Sequence, residues 1–253
     1  MERVGGAMQA RGAPLREYYL ALGSTSASLE TLTELILALA PEAQDASAGG
    51  TATTLSVSVV VCVSSRDVLD DVVCGLRGSR DGRRHVGIHL WSLHSDMLER
   101  EVTSYANEFR EVSRCTVVRN DVDQDVGEDV GEDVGANGGA VAPTRSIVNV
   151  LVTTDSPLKT LGKLNSDPLG PTLLIHYSLP RRREEYLRRT SVVLGSRKSS
   201  GSGGGGGGGG GHARVAVCFV HAGRLDELHA FEAMADRSLL EMPVHVRDIF
   251  GEA

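Results

Sequence analysis

No stretch of this 253-residue chain is apolar for long enough to cross a bilayer. The longest runs, "LSVSVVVCV" and "SIVNVLV", fall well short of the about 20 residues a membrane helix needs, so a membrane span is excluded. The opening "MERVGGAMQARGAPLREYY" has no apolar core of a secretory signal. Its arginines and shortage of acids leave organelle targeting open beside the expected cytoplasmic or nuclear location. Cys62, Cys74, Cys115 and Cys218 lie far apart with no CxxC spacing, which removes the common zinc and redox motifs and points to buried free thiols. No Gly-x-x-x-x-Gly-Lys-Ser/Thr occurs, because Gly162-Lys163 is followed by Leu164, and there is no Gly-x-Ser-x-Gly elbow. Phosphate-cradling loops and serine hydrolases of that type are therefore absent from the sequence. His85, His89 and His94 are close in sequence, but the first two straddle a predicted strand and stand about 13 Å apart, too far to share one metal.

A basic excess is missing too. The net charge is −7, and Asp121, Asp123, Asp125, Glu128, Asp129, Glu132 and Asp133 supply seven acids with no base among them. The remainder is near neutral, so charge alone does not announce nucleic-acid binding. This acidic stretch repeats GEDV, and its glycines and like charges defeat a packed core. It also lacks the twelve-residue loop and terminal Glu of a calcium site.

What is present is a regular alternation. Three insertions predicted to be disordered interrupt it: 42–55, small and polar; 119–145, the acidic repeat; and 199–211, which contains nine consecutive glycines from Gly203 to Gly211. Without them, short apolar runs alternate with segments of helical period, the pattern of a mainly parallel sheet flanked by helices. "SLETLTELILALA" places Leu29, Leu32, Leu35, Ile36 and Leu39 on one face and stops at Pro41. "SVSVVVCV" reads as a buried strand, followed by a helix with Val68, Leu69, Val72, Val73 and Leu76 inward. "VGIHLWSL" is the next strand. The following helix opens on a capping-box-like Asp96 and Glu99 and turns Leu98, Val102, Tyr105, Ala106 and Phe109 inward. "SIVNVLVTT", "PTLLIHYSL", the basic helix "RREEYLRR", "ARVAVCFV" and a closing helix with Leu225, Leu228, Phe231 and Met234 complete five strands. Residues 1–26 read as an N-terminal extension and 27–250 as one domain.

Five pieces read with their junctions carry a resemblance: "VVVCVSSRDVLDDV", "SLHSDMLEREVTSYANEFR", "NVLVTTD", "LLIHYSLPRRREEYLRR" and "CFVHAGRLDELHAFEAMADRSLLEMPVHVRDI". In this order, from about Leu29 to Ile249, they resemble the C-terminal RecA-like domain of DEAD-box RNA helicases of the translation-initiation type. The resemblance implies a single α/β, P-loop NTPase-type domain with a mainly parallel five- or six-stranded sheet. It also implies ATP with magnesium as the family's cofactor, and RNA as partner. The Walker A site and Asp-Glu-Ala-Asp box of the family's first domain are not in this sequence.

The family's chemistry uses arginines of this domain to stabilise charge on the phosphates. Against the family pattern His-Arg-x-Gly-Arg-x-x-Arg, the chain reads from Arg188 to Gly195: Arg189 keeps its place as a remnant nucleotide contact, and the two finger positions fall on Val192 and Gly195. Sliding Arg197 into a finger slot would set it beside the glycine run. After "VTTD" the family's Ala-Arg-Gly-x-Asp is replaced by "SPLKTLGKLNSDPLGP", with Lys159 and Asp167 as stand-ins. The RNA-contacting Gln-x-x-Arg falls on Glu99 and Val102. RNA-facing candidates that remain are Ser64, Arg66 and Thr154, at strand ends where hydroxyls and amides suit phosphate, or an ordinary turn or cap. Arg181, Arg182, Arg183, Arg188, Arg189, Arg197 and Lys198 form a basic helix face that suits RNA or an acidic protein, or is laced to Glu184 and Glu185. The resulting expectation is a degenerate helicase-like protein without ATPase activity of its own, binding RNA or a protein and needing no cofactor. Alternatives are half of a split helicase that needs a separate RecA-like domain, and a structural subunit of a ribonucleoprotein.

Overall fold

The structure, a computed structural model, describes residues 14–40, 53–78, 86–114, 117–119, 146–195 and 214–250. The insertions expected at 42–55, 119–145 and 199–211 lie outside these residues, except that 53–55 and 119 are strand. In chain order the elements are β1 (Leu15–Leu22), α1 (Ala27–Leu39), β2 (Thr53–Cys62), α2 (Arg66–Gly78), β3 (Val86–Leu93), α3 (Glu99–Arg114), β4 (Val117–Arg119), β5 (Ser146–Thr153), α4 (Asp155–Lys163), β6 (Leu173–His176), α5 (Arg183–Leu194), β7 (Arg214–His221), α6 (Leu225–Ala235) and β8 (Leu240–Glu241). A 3₁₀ turn spans Val246–Phe250.

Seven parallel strands form the sheet, in the order β3-β5-β2-β6-β7-β1-β8, and β4 runs antiparallel to the first residues of β2. That exceeds the five or six strands expected. Residues 15–22, read as part of an extension, pair with β7 along their whole length, from Leu15↔Arg214 to Leu22↔His221. β8 then pairs Tyr18 and Tyr19 on the outer side. The missed strand carries Arg16 and Glu17, and a charged residue at a buried strand position breaks the apolar run by which the other strands are recognised. Glu17 is buried nonetheless, because its Oε2 accepts from the Tyr186 hydroxyl at 3.0 Å and lies 3.3 Å from Arg237 Nε.

The strands alternate between two helical layers. Val59, Val61, Val63, Val148, Val150, Val152, Leu173, Ile175, Val215, Val217 and Phe219 pack under α1 and α2. On the other face, Val60, Cys62, Leu93, Leu151, Leu174 and Ala216 meet α3, α4 and the end of α5, while Cys218 and Val220 meet α5 and α6. α1 buries Leu32, Leu35, Ile36 and Leu39 and ends at Ala40, whose ψ of 131° is the extended conformation that a residue before proline prefers. α2 buries Leu69, Val72, Val73 and Leu76.

α3 departs from expectation. Val102, Ala106 and Phe109 are buried, Phe109 meeting Trp91 edge-on at 5.7 Å, but Leu98 and Tyr105 are 54% and 43% exposed. The helix N-terminus is held by Glu101 Oε2, which accepts the Leu98 N–H at 2.8 Å, and not by the Asp96–Glu99 pair. In α6, Leu228, Phe231 and Ala235 are buried while Leu225 is 63% exposed. Of the cysteines, Cys62 and Cys218 are buried and Cys74 is exposed, which corrects its reading as an inner thiol; Cys115 lies outside the described residues. No described helix is long and apolar enough to cross a membrane.

Candidate functional site at the carboxyl edge of the sheet

The chain passes from β2 to β3 on one side and from β5 to β6 on the other, so strand addition reverses around β2. In open α/β sheets ligands bind outside the carboxyl ends of the strands at such a reversal. β2 and β5 end together there: the Val63 N–H donates to the Thr153 carbonyl at 3.0 Å, and the Thr154 N–H to the Leu93 carbonyl at 3.2 Å. Ser64 and Thr154 thus follow neighbouring strands, with Arg66 starting α2 beside them. Ser64 is exposed. Thr154 is the residue before α4, extended at φ −89° and ψ 171°, and its Oγ1 is buried without a hydrogen-bond partner. The amino ends of α2 and α4 both reach this edge, where unpaired N–H groups and the helix dipole favour anions.

Arg66 is half-buried and already occupied. Its Nε donates to both oxygens of Asp70, at 3.0 and 2.9 Å, and Nη1 to Asp96 Oδ2 at 3.3 Å. These exposed carboxylates neutralise it at rest. Three of the four sequence candidates, Ser64, Arg66 and Thr154, therefore share one edge.

Arg189 does not join them as a free cation. It is 1% exposed beneath α5, its Nε and Nη2 gripping Asp155 Oδ1 and Oδ2 at 2.8 and 2.7 Å. Nη1 donates to the Ser178 carbonyl at 2.7 Å and stands 3.4 Å from His176 Nδ1. Burial opposes its charge, yet the Asp155 hydrogen bonds prevail and hold Arg189 above the ordinary arginine range. Burial, with Arg189 alongside, holds His176 well below the usual histidine value, so the imidazole is neutral. Burial likewise pushes the Cys62 thiol up to about 12. This cluster ties β2, β6, α4 and α5 together, and the guanidinium, read from the sequence as a remnant nucleotide contact, faces the interior. Asp155 and Arg189 are 34 residues apart, so no local sequence pattern announces the pair.

The two finger positions are built into packing. Val192 lies against Gly162, where an added Cβ would come within 3.4 Å of its Cγ2. Its carbonyl accepts the Leu169 N–H at 3.0 Å. Gly195 has φ +84°, and a Cβ there would meet Pro168 Cγ at 3.0 Å, so a side chain at this place is opposed by both backbone and neighbour. Of the stand-ins, Lys159 is exposed on α4, while Asp167 sits at the far end of α3, its carbonyl accepting from Arg110 Nε at 2.9 Å and its carboxylate 3.7 Å from Arg114. Asp167 is thus remote from the carboxyl edge. The segment after "VTTD" is helical because Pro157 falls in the first turn of α4, where no intrahelical N–H bond is lost. Val102 is buried and Glu99 exposed. On the basic face, Arg182 pairs with Glu185 at 2.6 Å and Arg189 is withdrawn into the core; Arg197 and Lys198 lie outside the described residues. His85 also lies outside them.

Seven parallel strands between two helical layers, with polar groups gathered where strand order reverses, define an open α/β domain. No protein-family model matches the chain, and no curated protein sequence does. Solved structures share its fold. The Escherichia coli DEAD-box protein SrmB, bound to regulator of ribonuclease activity A, aligns with TM-score 0.53 at 14% identity over 91% of this chain and 92% of that one. The yeast DEAD-box splicing factor Prp28 aligns with TM-score 0.52 at 9% identity over 98% of this chain. Dbp5 of Saccharomyces cerevisiae, bound to RNA and ADP BeF3, aligns with TM-score 0.51 at 16% identity over 92%. The chain spans 40% of the Prp28 chain and 42% of the Dbp5 chain. At these identities the likeness is one of fold: that of a helicase C-like domain of DEAD-box proteins.

Proposed function

We propose that this chain is a helicase-like module that binds single-stranded RNA through the carboxyl edge of its sheet and does not turn over ATP by itself. One observation carries the second half: the places for catalytic cations are Val192, packed on Gly162, and Gly195, at positive φ against Pro168. The neighbouring Arg189 is committed to Asp155. One arginine finger is worth about 10³ to 10⁵ in phosphoryl-transfer rate, so their replacement removes the main source of catalysis. The first half is supported by the exposed Ser64 hydroxyl and by the N–H groups at the amino ends of α2 and α4, which suit a phosphate backbone. The Dbp5 structure of the same fold holds RNA.

Fluorescence anisotropy of a labelled oligouridylate, titrated over a salt series, tests this. The expected result is saturable binding whose log affinity falls with log salt by roughly 0.7 per phosphate contacted, weakened by Ser64→Glu and by Arg66→Glu. Binding that is absent at low salt, or indifferent to both substitutions, would refute it. A second reading is favoured by the acids around Arg66, namely Asp67, Asp70, Asp96 and Glu99: the edge receives a basic protein surface, of a RecA-like domain or a ribonucleoprotein subunit. SrmB, of the same fold, was solved with a protein bound. Under that reading Asp96→Lys abolishes a partner contact, whereas RNA binding would be strengthened by it. A split helicase would show RNA-stimulated hydrolysis only in mixture with a separate first domain.

A further inference from the structure

The two outer strands of the sheet are built differently. Beyond β1 lies β8, a strand of two exposed residues, Leu240 and Glu241, with Pro243 two places on. Short length, charge and proline are the ordinary means by which a sheet edge refuses another strand. The strand at the other side, β3, is eight residues long and reads VGIHLWSL, without proline and with His89 as its one titratable side chain. Among the described residues it pairs with β5 alone, from Val86↔Ser146 to Leu93↔Thr153. Every second residue of β3 turns its N–H and C=O away from β5, toward no described strand.

Apolar surface continues from this edge onto α3. The helix lies over β3, β5 and β2, and α4 packs between it and α5, so the flank of α3 away from α4 overhangs the open strand. The flank toward α4 is basic: Arg110 donates to the Asp167 carbonyl, Arg114 stands 3.7 Å from the Asp167 carboxylate, and Arg100 lines a groove with Leu164. On the overhanging flank, Leu98 and Tyr105, seven residues apart, are exposed, and half-buried Val112 extends their stripe. Below them Trp91 of β3 is half-buried, its ring edge-on to Phe109. Glu101 and Glu108, also seven apart, are exposed and border the stripe. Helix α3 thus sends its bases toward α4 and these two acids toward the strand edge.

We propose that β3 takes an extended, basic segment of a partner protein as an added strand, its alternate apolar side chains on Trp91, Leu98 and Tyr105 and its lysines or arginines beside Glu101 and Glu108. A second copy of this chain suits the edge less well. Antiparallel pairing of β3 with itself about a two-fold axis normal to the sheet sets α3 beside α3 and turns the same carboxylates toward one another. Fluorescence anisotropy of the purified chain with the labelled peptide Lys-Thr-Val-Thr-Phe-Thr-Val-Thr-Lys tests the proposal. Saturable binding is expected, about tenfold tighter than that of the same peptide with glutamates for lysines, and lost when N-methyl groups block its main-chain donors along one edge. Glu108→Lys, an exposed change that leaves the far-UV circular dichroism intact, weakens the lysine peptide about fivefold and leaves the glutamate peptide no weaker. Tyr105→Ser weakens both, and Leu240→Ser, at the other edge, has no effect. Hydrogen exchange reads the strand itself: the outward amides of β3 exchange quickly in the free chain and slow when the peptide is added. No saturable binding up to about 1 mM, equal binding of the N-methylated peptide, or indifference to Glu108→Lys overturns the proposal. So does slow exchange of those amides in the free chain: with a dimer in sedimentation it assigns the edge to a second copy, and with a monomer to the chain itself.

Discussion

Replacing Asp155 by Ala separates the two roles open to Arg189. In the fold described, the guanidinium is 1% exposed and four contacts hold it: two to Asp155, one to the Ser178 carbonyl and one to His176. Removing Asp155 leaves a buried charge with a neutral imidazole and one carbonyl for company. Breaking a buried pair in this way costs about 3 to 5 kcal/mol, against about 0 to 1 kcal/mol for an ion pair in water. With a urea m-value of roughly 2 kcal/mol per molar, the midpoint of unfolding falls by about 2 M. Arg189→Lys also destabilises by several kcal/mol, because an ammonium cannot bridge both carboxylate oxygens and reach Ser178 together. Urea unfolding followed by circular dichroism reads both variants. A midpoint within about 0.5 M of the parent for Asp155→Ala would mean that Arg189 stands in solvent, as a ligand-facing cation would, and would refute its structural assignment.

Three further outcomes are expected. Gly195→Ala loses about 1 to 2 kcal/mol in the same urea assay, from the positive φ and the Pro168 contact; a stabilised variant would contradict the geometry. Burial raises the Glu17 carboxyl above its usual 4.5, despite the Tyr186 and Arg237 contacts that lower it. The folded state therefore holds this proton more firmly than the unfolded chain. Its contribution is fully present below pH 4.5 and is lost as pH rises through the higher folded value, so Glu17→Gln flattens the fall of stability over that window, measured by urea unfolding at each pH; an unchanged profile would contradict the burial. Finally, of the described thiols Cys74 reacts with a disulfide reagent in the native protein, while Cys62 and Cys218 react only on unfolding, as mass spectrometry after timed labelling would show.

Most of the sheet was legible because β2, β5, β6 and β7 are covered on both faces and so are spelled as continuous valine, leucine and isoleucine runs. β1 was not, because its buried Glu17 finds partners, Tyr186 and Arg237, that are distant in sequence. α4 was hidden by Pro157 and Gly162, residues that read as breakers yet fall in its first and last turns. The outward turn of Leu98 and Tyr105 shows the limit of periodicity: helical spacing names a stripe, and the neighbours decide how wide it is. At the site, the expected strand ends together with the resemblance singled out Ser64, Arg66 and Thr154, which stand between the ends of β2 and β5 and the starts of α2 and α4. It could not show that Arg66 is paired with Asp70 and Asp96, or that Arg189 faces inward, since both depend on contacts made across the fold.

The affinity of the chain for labelled single-stranded RNA, measured with and without saturating magnesium ATP in one titration, bears most closely on the proposal of an RNA-binding module that does not turn over ATP by itself. Identical curves, sensitive to salt, with no phosphate released over the same hours, are expected. RNA binding that appears only with ATP, or steady hydrolysis by the chain alone, would contradict it.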